Sequence, residues 1–363
     1  MRYQEITIKE LASFVKSNVY LNSKNIPITQ QRALSQIKNP RASKEDVALI
    51  IAIDKQNEIV GFIGALPEKI PAKPKLKIAW NSCWWIDRKN GQKAAIPLFL
   101  KFLKAYDQNV LFRDLTPKTE EILMRFNKFE KIKKLKGFRY FLFLNSKEII
   151  TKRNRIFIIF SPILQVTDKI TNTFLFYKNK KHLTKKSDLK AVKINAIDKE
   201  AANFIKEHQK KELFKRGEKE LNWILKNPWI LKKTLKKDVQ FYYFSDTSRK
   251  FKNDIYKLYN LENNLIAVLF FNNNDGLVKI PFIYFNADYL EEIKNFIFTY
   301  LLQEKANSLL IFNPLLNKAL QDSNHPFWYI KPLNKDFVVS KKLKPLLPKE
   351  YDFQDGEGDF VFA

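Results

Sequence analysis

The segment best suited to chemistry joins a predicted strand directly to a predicted helix. It reads Cys83, Trp84, Trp85, Ile86, Asp87, Arg88, Lys89, Asn90, Gly91, Gln92, Lys93, Ala94. A helix N-terminus offers free backbone N–H groups and the positive end of the helix dipole, and together these bind phosphate. Gly91 would let the backbone approach a ligand closely, while Arg88, Lys89 and Lys93 add positive charge. The segment therefore predicts a phosphate site, although an ordinary strand-to-helix turn with solvated lysines has the same composition.

Few other side chains have the spacing of a reactive centre. Asp114 lies just past the end of a predicted strand and could act as a general base, although a role in a turn or cap fits it equally well. The single cysteine, Cys83, has no histidine near it in sequence, so a cysteine nucleophile is not favoured. The three histidines lie far apart without the spacing of metal ligands, and no metal site is predicted.

The chain carries a large positive charge. Its 363 residues include 65 Lys and Arg against 38 Asp and Glu, a formal net charge of +27. This charge raises the local concentration of anionic partners, such as CoA phosphates, sugar nucleotides, nucleic acid or an anionic membrane surface. No helix-turn-helix or zinc-finger spacing is found, nor a run of basic residues interleaved with aromatics, so nucleic acid and tRNA are not favoured partners.

The sequence also predicts where the protein resides. Its single cysteine excludes an intrachain disulfide framework and fits a reducing compartment. Residues 1–10 are charged and lack the apolar core of a signal peptide. The longest apolar stretch, Ile156–Leu164, contains Ser161 and Pro162 and is far shorter than the roughly 20 residues that span a bilayer. We therefore expect a cytoplasmic protein without a transmembrane segment.

Ordered self-similarity indicates that the chain is a tandem duplication. The matching segments are Lys9–Lys16 with Lys199–Lys206, Lys38–Pro40 with Lys226–Pro228, 50–63 with 256–269, and 110–117 with 309–314. The predicted organisation is one domain over residues 1–145, a basic linker over 146–190 and a second domain over 191–363. Within the linker, 156–177 is predicted as a bridging helix or strands and 178–186 as an exposed basic loop.

Each unit is predicted to have a mixed α/β fold. Apolar periodicity in the first unit indicates helices over 8–18, 29–38 and 94–106, strands over 47–53, 59–66, 77–86 and 110–112, and closing strands over 132–144. Thr116 should cap a further helix that begins at Pro117. The strand–helix–strand order at the centre predicts one parallel pair within an otherwise antiparallel sheet.

These motifs resemble those of the GCN5-related N-acetyltransferase (GNAT) superfamily over residues 1–145. The hairpin over 50–64 resembles the paired second and third strands of the family, and Arg88–Ala94 resembles its Arg/Gln-x-x-Gly-x-Gly/Ala pyrophosphate loop. The resemblance implies that acetyl-CoA is the acyl donor and that Trp84–Ile86 and Arg88–Ala94 bind it. It also implies direct attack of an amine on the thioester, whose carbonyl is held by a backbone N–H on the Trp84–Ile86 strand.

The sequence departs from the family pattern at the loop and at the general acid. Lys93 stands where the family prefers a small residue. Leu123 stands where the family often has the tyrosine that acts as general acid, which leaves Tyr140 or Tyr106 as the candidate acid. Asp114 is the candidate base. The equivalent segment of the second unit, 282–292, has no glycine, no basic residue and three carboxylates, so that unit is predicted to be degenerate.

The predicted function is an acetyl-CoA-dependent N-acetyltransferase that acts on an amine of a small anionic metabolite, such as an amino sugar nucleotide. One alternative is an aminoacyl transferase of the kind that extends peptidoglycan bridges, which also pairs two GNAT-like units and uses aminoacyl-tRNA. The other is a non-catalytic tandem module that binds nucleic acid or anionic lipid.

Overall fold

The chain divides into two compact units, each assembled from separate stretches of sequence. The computed structural model describes residues 1–70, 73–147, 150, 155–180, 189–232, 241–244, 247–321 and 325–362. The first unit consists of 1–135, 196–249 and 335–363, and the second of 136–195 and 250–334.

The first unit is built on a mixed sheet. Its strands are β1 (Arg2–Thr7), β2 (Val47–Ile53), β3 (Ile59–Ile70), β4 (Lys73–Ile86), β5 (Val110–Arg113) and the end of β15 (Tyr329–Ser340), in the order β1-β2-β3-β4-β5-β15. Only β4 and β5 pair in parallel; the other neighbours are antiparallel. Every residue of β2 is buried, as expected for a strand with both faces covered.

Helices cover the two faces of this sheet. They are α1 (Leu11–Phe14), α2 (Asn18–Asn22), α3 (Gln30–Ile37), α4 (Ala95–Ala105), α5 (Pro117–Arg125), α7 (Lys199–His208) and α8 (Glu218–Lys226). The apolar stripe of α4 packs on one face through Leu98, Phe99 and Phe102. On the other face, Phe14 and Tyr20 from α1 and α2 join a second core. A short parallel pair, β8 (Leu231–Lys232) and β9 (Thr247–Ser248), completes the unit.

The second unit has a sheet of similar plan. Its strands are the end of β6 (Phe129–Phe141), β7 (Lys190–Ile194), β10 (Phe251–Tyr259), β11 (Leu265–Asn274), β12 (Leu277–Lys279), β13 (Ile283–Phe285) and β14 (Ser308–Ile311). The order is β6-β14-β12-β11-β10-β7, with β13 also paired to β11, and β12–β14 is the parallel pair. Its helices are α6 (Ser161–Asn179), α9 (Leu290–Gln303) and α10 (Pro314–Gln321).

The mixed α/β class is confirmed, as is the parallel pair at the centre of the first unit's main sheet, and most predicted elements are present. Thr116 caps α5 by accepting the N–H of Thr119 at 3.3 Å, with Pro117 in the first turn. The predicted closing strands over 132–144 are one strand, β6, and β1 is an additional strand. The segment 156–177, predicted as helix or strands, contains the helix α6. Most of the predicted basic loop, 181–186, lies outside the described residues.

The compact units do not coincide with the predicted sequence domains because two strands are exchanged. From β7 onwards the chain repeats the element order of its first part. However, β6 pairs with β14 of the second unit, whereas β15 pairs with β5 of the first. The division at residues 145 and 191 describes the duplication of the sequence and remains a prediction.

Candidate active site

The parallel strands β4 and β5 separate after a short contact. They pair at only two positions, Ala79 with Val110 and Trp80 with Leu111. A bulge at Ser82, where β4 gains one residue relative to β3, bends the strand further. Beyond Trp80, β4 continues to Ile86, while β5 pairs with β15 on its other side. Among the described residues no strand covers this edge of β4, so a fork opens between the two strands.

Backbone N–H groups of β4 point into the fork. The Asp87 N–H donates to the Val60 oxygen of β3 at 2.9 Å. Because hydrogen-bonding direction alternates along a strand, the Trp85 N–H also faces β3, and those of Trp84 and Ile86 face the uncovered edge. Donors held rigidly in this way can stabilise an oxyanion.

The side chains at the end of β4 pack against both faces of the sheet. Trp84 stacks on Phe99 of α4, with ring centroids 5.0 Å apart and 12° between planes. Trp85 stacks on Phe62 of β3 at 5.2 Å. Ile86 is half-buried against the α4 core. The indole N–H groups of Trp80 and Trp84 are buried and have no hydrogen-bond acceptor in the described part of the chain, which leaves donors beside the fork.

The loop that follows β4 is organised by a carboxylate. Asp87 accepts the backbone N–H groups of Lys89 at 3.0 Å and Asn90 at 2.7 Å. Its carbonyl oxygen accepts the Gly91 N–H at 3.0 Å. The Gln92 side chain donates to the Arg88 oxygen at 2.8 Å. Two backbone N–H groups of the predicted phosphate-binding loop are therefore already hydrogen-bonded to the carboxylate of Asp87.

Gly91 is required by packing against β3. Its φ is −101°, which any residue can adopt. A Cβ atom there would lie 2.1 Å from the Val60 oxygen and under 3 Å from the Asp87 backbone. The glycine therefore allows close approach to the protein backbone, whereas the sequence suggested approach to a ligand. Ala94, the small residue of the motif, is fully buried beneath the start of α4.

Positive charge is exposed on the outer side of the loop. Arg88, Lys89, Asn90, Gln92 and Lys93 are exposed, and the three basic side chains form no ion pair with any described residue. Gln92 and Lys93 begin the short turn 92–94 that leads into α4, where backbone N–H groups lack partners within the helix. This outer surface can attract an anion without breaking an existing contact.

Asp114 lies at the end of β5, on the opposite arm of the fork. Its backbone adopts a φ of 49°, which is uncommon outside glycine, and its N–H donates to the Asp336 oxygen at 3.1 Å. The carboxylate is 3.4 Å from Nε of Arg113. Burial raises the pKa of Asp114, against the opposing effects of Arg113 and Lys335. A raised pKa suits a base that must accept a proton near neutral pH.

Tyr140 is not brought together with the loop residues. It lies in the core of the second unit, because β6 crosses from the first unit into the second before reaching residue 140. Its hydroxyl donates to Asn317 Oδ1 at 2.9 Å and accepts from Gln321 Nε2 at 3.1 Å. Burial raises its pKa to about 12. The candidate acid is therefore fully engaged in core hydrogen bonds.

Residues 355–359, which belong to the first unit, contain a set of buried acids that was not predicted from the sequence. Asp355 pairs with Arg113 at 2.5 Å, and Glu357 with Arg216 at 2.5 Å. Asp359 lies 3.6 Å from Arg32. The visible signal was three acids that alternate with Gly356 and Gly358 just before an apolar C-terminal segment, and the structure forms a turn there in which Gly358 has a φ of 70°.

These acids lie near the point where the fork begins. A Cβ atom at Gly358 would be only 3.4 Å from the Trp80 indole. Burial raises the pKa of Glu357 to about 7, with Arg216 opposing and Glu68 contributing to the rise. Burial also lowers the pKa of Lys335, the second partner of Asp355, to about 8. The root of the fork is therefore a dry, charged environment.

Other chemistries have less support. Cys83 is buried and burial raises the pKa of its thiol, which disfavours a reactive thiolate. The described residues contain no group of three His, Cys, Asp or Glu side chains that could hold a metal ion. Within the same residues, no helix is long and apolar enough to cross a membrane.

No protein-family model matches the chain, and no curated protein matches it by sequence. Solved structures do resemble it. A probable N-acyltransferase from Enterococcus faecalis V583 aligns with a TM-score of 0.50 and 11% identity, over 94% of this chain and 72% of that one. Saccharomyces cerevisiae N-myristoyltransferase with bound myristoyl-CoA aligns with a TM-score of 0.49 and 13% identity, over 93% and 82%. A GCN5-related N-acetyltransferase from Kribbella flavida aligns with a TM-score of 0.49 and 9% identity, over 93% and 71%.

Identities this low establish likeness of fold and leave activity open. The fold of the chain is like that of the probable N-acyltransferase from Enterococcus faecalis V583, which is compatible with the resemblance found in the sequence.

Proposed function

We propose that this protein is an acyl-CoA-dependent N-acyltransferase of the GNAT type. The observation that carries the proposal is the fork, whose open edge presents backbone N–H groups and leads directly into a basic loop at the start of α4. The carbonyl oxygen of a thioester needs hydrogen-bond donors such as these N–H groups, and a pyrophosphate needs the positive charge of the loop. The proposed reaction is acetyl transfer to an amine of a small anionic metabolite, such as an amino sugar nucleotide, in the cytoplasm.

Different residues along the fork would bind different parts of the acyl donor. The N–H groups of Trp84 and Ile86 would hold the carbonyl oxygen of the thioester. Arg88, Lys89 and Lys93 would pair with the phosphates of CoA, together with the backbone at Gln92. Acetyl-CoA supplies the activated acyl group.

Asp114 is the proposed proton acceptor for the amine. It lies at the end of β5, has a raised pKa and keeps part of its surface open to solvent. A neutral amine next to a polarised carbonyl needs mainly correct positioning, so one base is sufficient. Tyr140 has no role in this proposal because its hydroxyl is hydrogen-bonded in the other core.

The proposal is tested by reversing the charge of the loop. In the variant Arg88→Glu, Lys89→Glu, Lys93→Glu, the affinity for acetyl-CoA measured by isothermal titration should fall roughly 100-fold, because three attractive charges become repulsive. The matched control is Lys16→Glu, Lys55→Glu, Lys219→Glu, which changes the net charge equally at exposed side chains. Equal losses in both variants would show a general charge effect, and a wild-type protein that binds no acetyl-CoA at millimolar concentration would refute the proposal.

A further inference from the structure

The helix α6 of the second unit carries an apolar stripe on its outer side. Ile163, Val166, Ile170, Phe174 and Tyr177 follow one another at intervals of three and four residues, which places them on one helix face. Each is 57–68% exposed, and Ile159 just before the helix is 80% exposed. A contiguous apolar surface of this length is unusual on a monomer and marks an interaction site.

The opposite face of α6 fixes the helix to the protein through polar side chains. Asp168 accepts the Lys147 N–H at 3.1 Å. Asn172 accepts the Leu144 N–H at 2.7 Å and donates to the Leu144 oxygen at 2.9 Å. Asn179 donates to the Pro326 oxygen at 3.1 Å. The inward side also carries Leu175 and Phe176, which pack against the core of the second unit. The stripe lies on the opposite side, so rotating the helix to bury it would break these hydrogen bonds and lose this packing.

Positive charge flanks the stripe. Within α6, Lys169 and Lys178 are exposed beside it. The sequence adds basic residues before and after the helix at Lys152, Arg153, Arg155, Lys180, Lys181, Lys185 and Lys186. The only acid between residues 149 and 187 is Asp168, which is buried on the inward face.

The positive charge around the stripe favours one kind of binding partner over the others. A second copy of the chain would bring one basic helix against another, and no exposed acid of this segment would compensate. Nucleic acid would satisfy the charge but leave the apolar stripe in water. The surface of an anionic bilayer satisfies both, because acyl chains accept the stripe and headgroups pair with the lysines.

We propose that α6, together with residues 156–160, docks this protein on the surface of an anionic lipid bilayer. The helix lies parallel to the membrane, with the aromatic rings of Phe160, Phe174 and Tyr177 at the level of the headgroups. The proposal is independent of the acyltransferase activity, since it concerns only the second unit.

The test uses the full chain and vesicle flotation. Wild type should bind vesicles of phosphatidylcholine with 30% phosphatidylglycerol at least tenfold more tightly than pure phosphatidylcholine. The variant Ile163→Ser, Ile170→Ser, Phe174→Ser should lose at least tenfold in affinity for the anionic vesicles. These side chains are exposed, so folding should be retained, as checked by circular dichroism and thermal unfolding. The control Leu21→Ser, Leu261→Ser, Leu315→Ser removes equally exposed apolar residues from other sites and should bind as wild type.

Three results would overturn the proposal. Unchanged vesicle binding by the stripe variant would assign binding to overall charge alone. Equal binding to neutral and anionic vesicles would remove the role of the lysines. Self-association of wild type in sedimentation velocity, abolished in the stripe variant while vesicle binding persists, would make this face a protein interface.

Discussion

The same strand–helix junction occurs in both repeats with opposite charge. In the first, β4 runs unbroken through a bulge at Ser82 and leads into the basic loop 88–93. In the second, the equivalent strand is divided into β12 and β13 by the segment 280–282, which contains Pro281. Proline cannot donate a strand hydrogen bond, so the chain leaves the ladder where the first repeat only bends.

The helix that follows is stabilised differently in each repeat. In the second repeat Asn286 caps the turn by accepting the Asp288 N–H at 3.1 Å, and Glu291 and Glu292 occupy the first turn of α9. Acids at a helix N-terminus stabilise the helix and repel phosphate. In the first repeat the first turn of α4 has no charged side chain, and the basic residues lie in the loop and short turn just before it. The comparison teaches that the same succession of strand and helix can carry either basic or acidic side chains at its junction, and only the basic version suits an anion.

The largest expected effect is on the free energy of unfolding, because the junctions of the two repeats pack differently. Gly91→Val should lower the free energy of unfolding by about 2–3 kcal/mol, because the new side chain would collide with the Val60 carbonyl. Asn286→Ala in the second repeat should cost only about 1 kcal/mol, the usual value of a lost cap. Urea unfolding of both variants measures the difference. A Gly91 variant as stable as wild type would mean that the loop does not pack against β3.

A smaller effect concerns the acid inside the basic loop. Asp87→Asn keeps an acceptor for the Lys89 and Asn90 N–H groups but removes a negative charge near the proposed phosphates. The affinity for acetyl-CoA should rise roughly threefold to tenfold, as expected for one charge at several ångströms in a partly aqueous site. Asp87→Ala, which also removes the acceptor, should show no such gain. Titration of all three proteins is sufficient, and an unchanged affinity in the Asn variant would place the phosphates elsewhere.

The smallest effect concerns Asp114 and pH. As a base it must be ionised, so activity should fall as pH drops through its raised pKa, and Asp114→Asn should remove this limb of the pH–rate profile. A raised carboxyl pKa also stabilises the fold most below the unfolded value and loses that contribution as pH rises through the folded one. The Asn variant should therefore be slightly more stable than wild type at pH 8 and not at pH 3, as measured by urea unfolding at both pH values. An unaltered pH–rate profile in an active variant would exclude Asp114 as the base.

Local patterns in the sequence predicted the parts of the structure that depend on local physics. The hairpin of β2 and β3, the helix α4 and the Thr116 cap all follow from periodicity and from residues adjacent in the chain. The loop over 88–94 was also located correctly between a strand and a helix. The reason for Gly91 was not predictable, because the colliding atom belongs to Val60 on a neighbouring strand.

Long-range pairing could not be predicted in the same way. Alternating residues identify β6 as a strand and specify which side chains share a face, but they do not name the partner strand. Tyr140 was therefore assigned to the site of the first repeat although β6 pairs with β14. The buried acids at 355–359 were missed for the same reason, since their arginine partners at 32, 113 and 216 are distant in sequence.

The exchange of β6 and β15 has a consequence for biosynthesis. The edge of β5 pairs with residues 337–339, and the ribosome adds these more than 200 residues after Arg113. At about 5–20 residues per second, this interval lasts roughly 10–45 seconds. During that time the nascent sheet exposes an unpaired strand edge, the kind of surface that invites aggregation. Chaperone binding to nascent chains should consequently be greatest after β5 emerges and should end when β15 does.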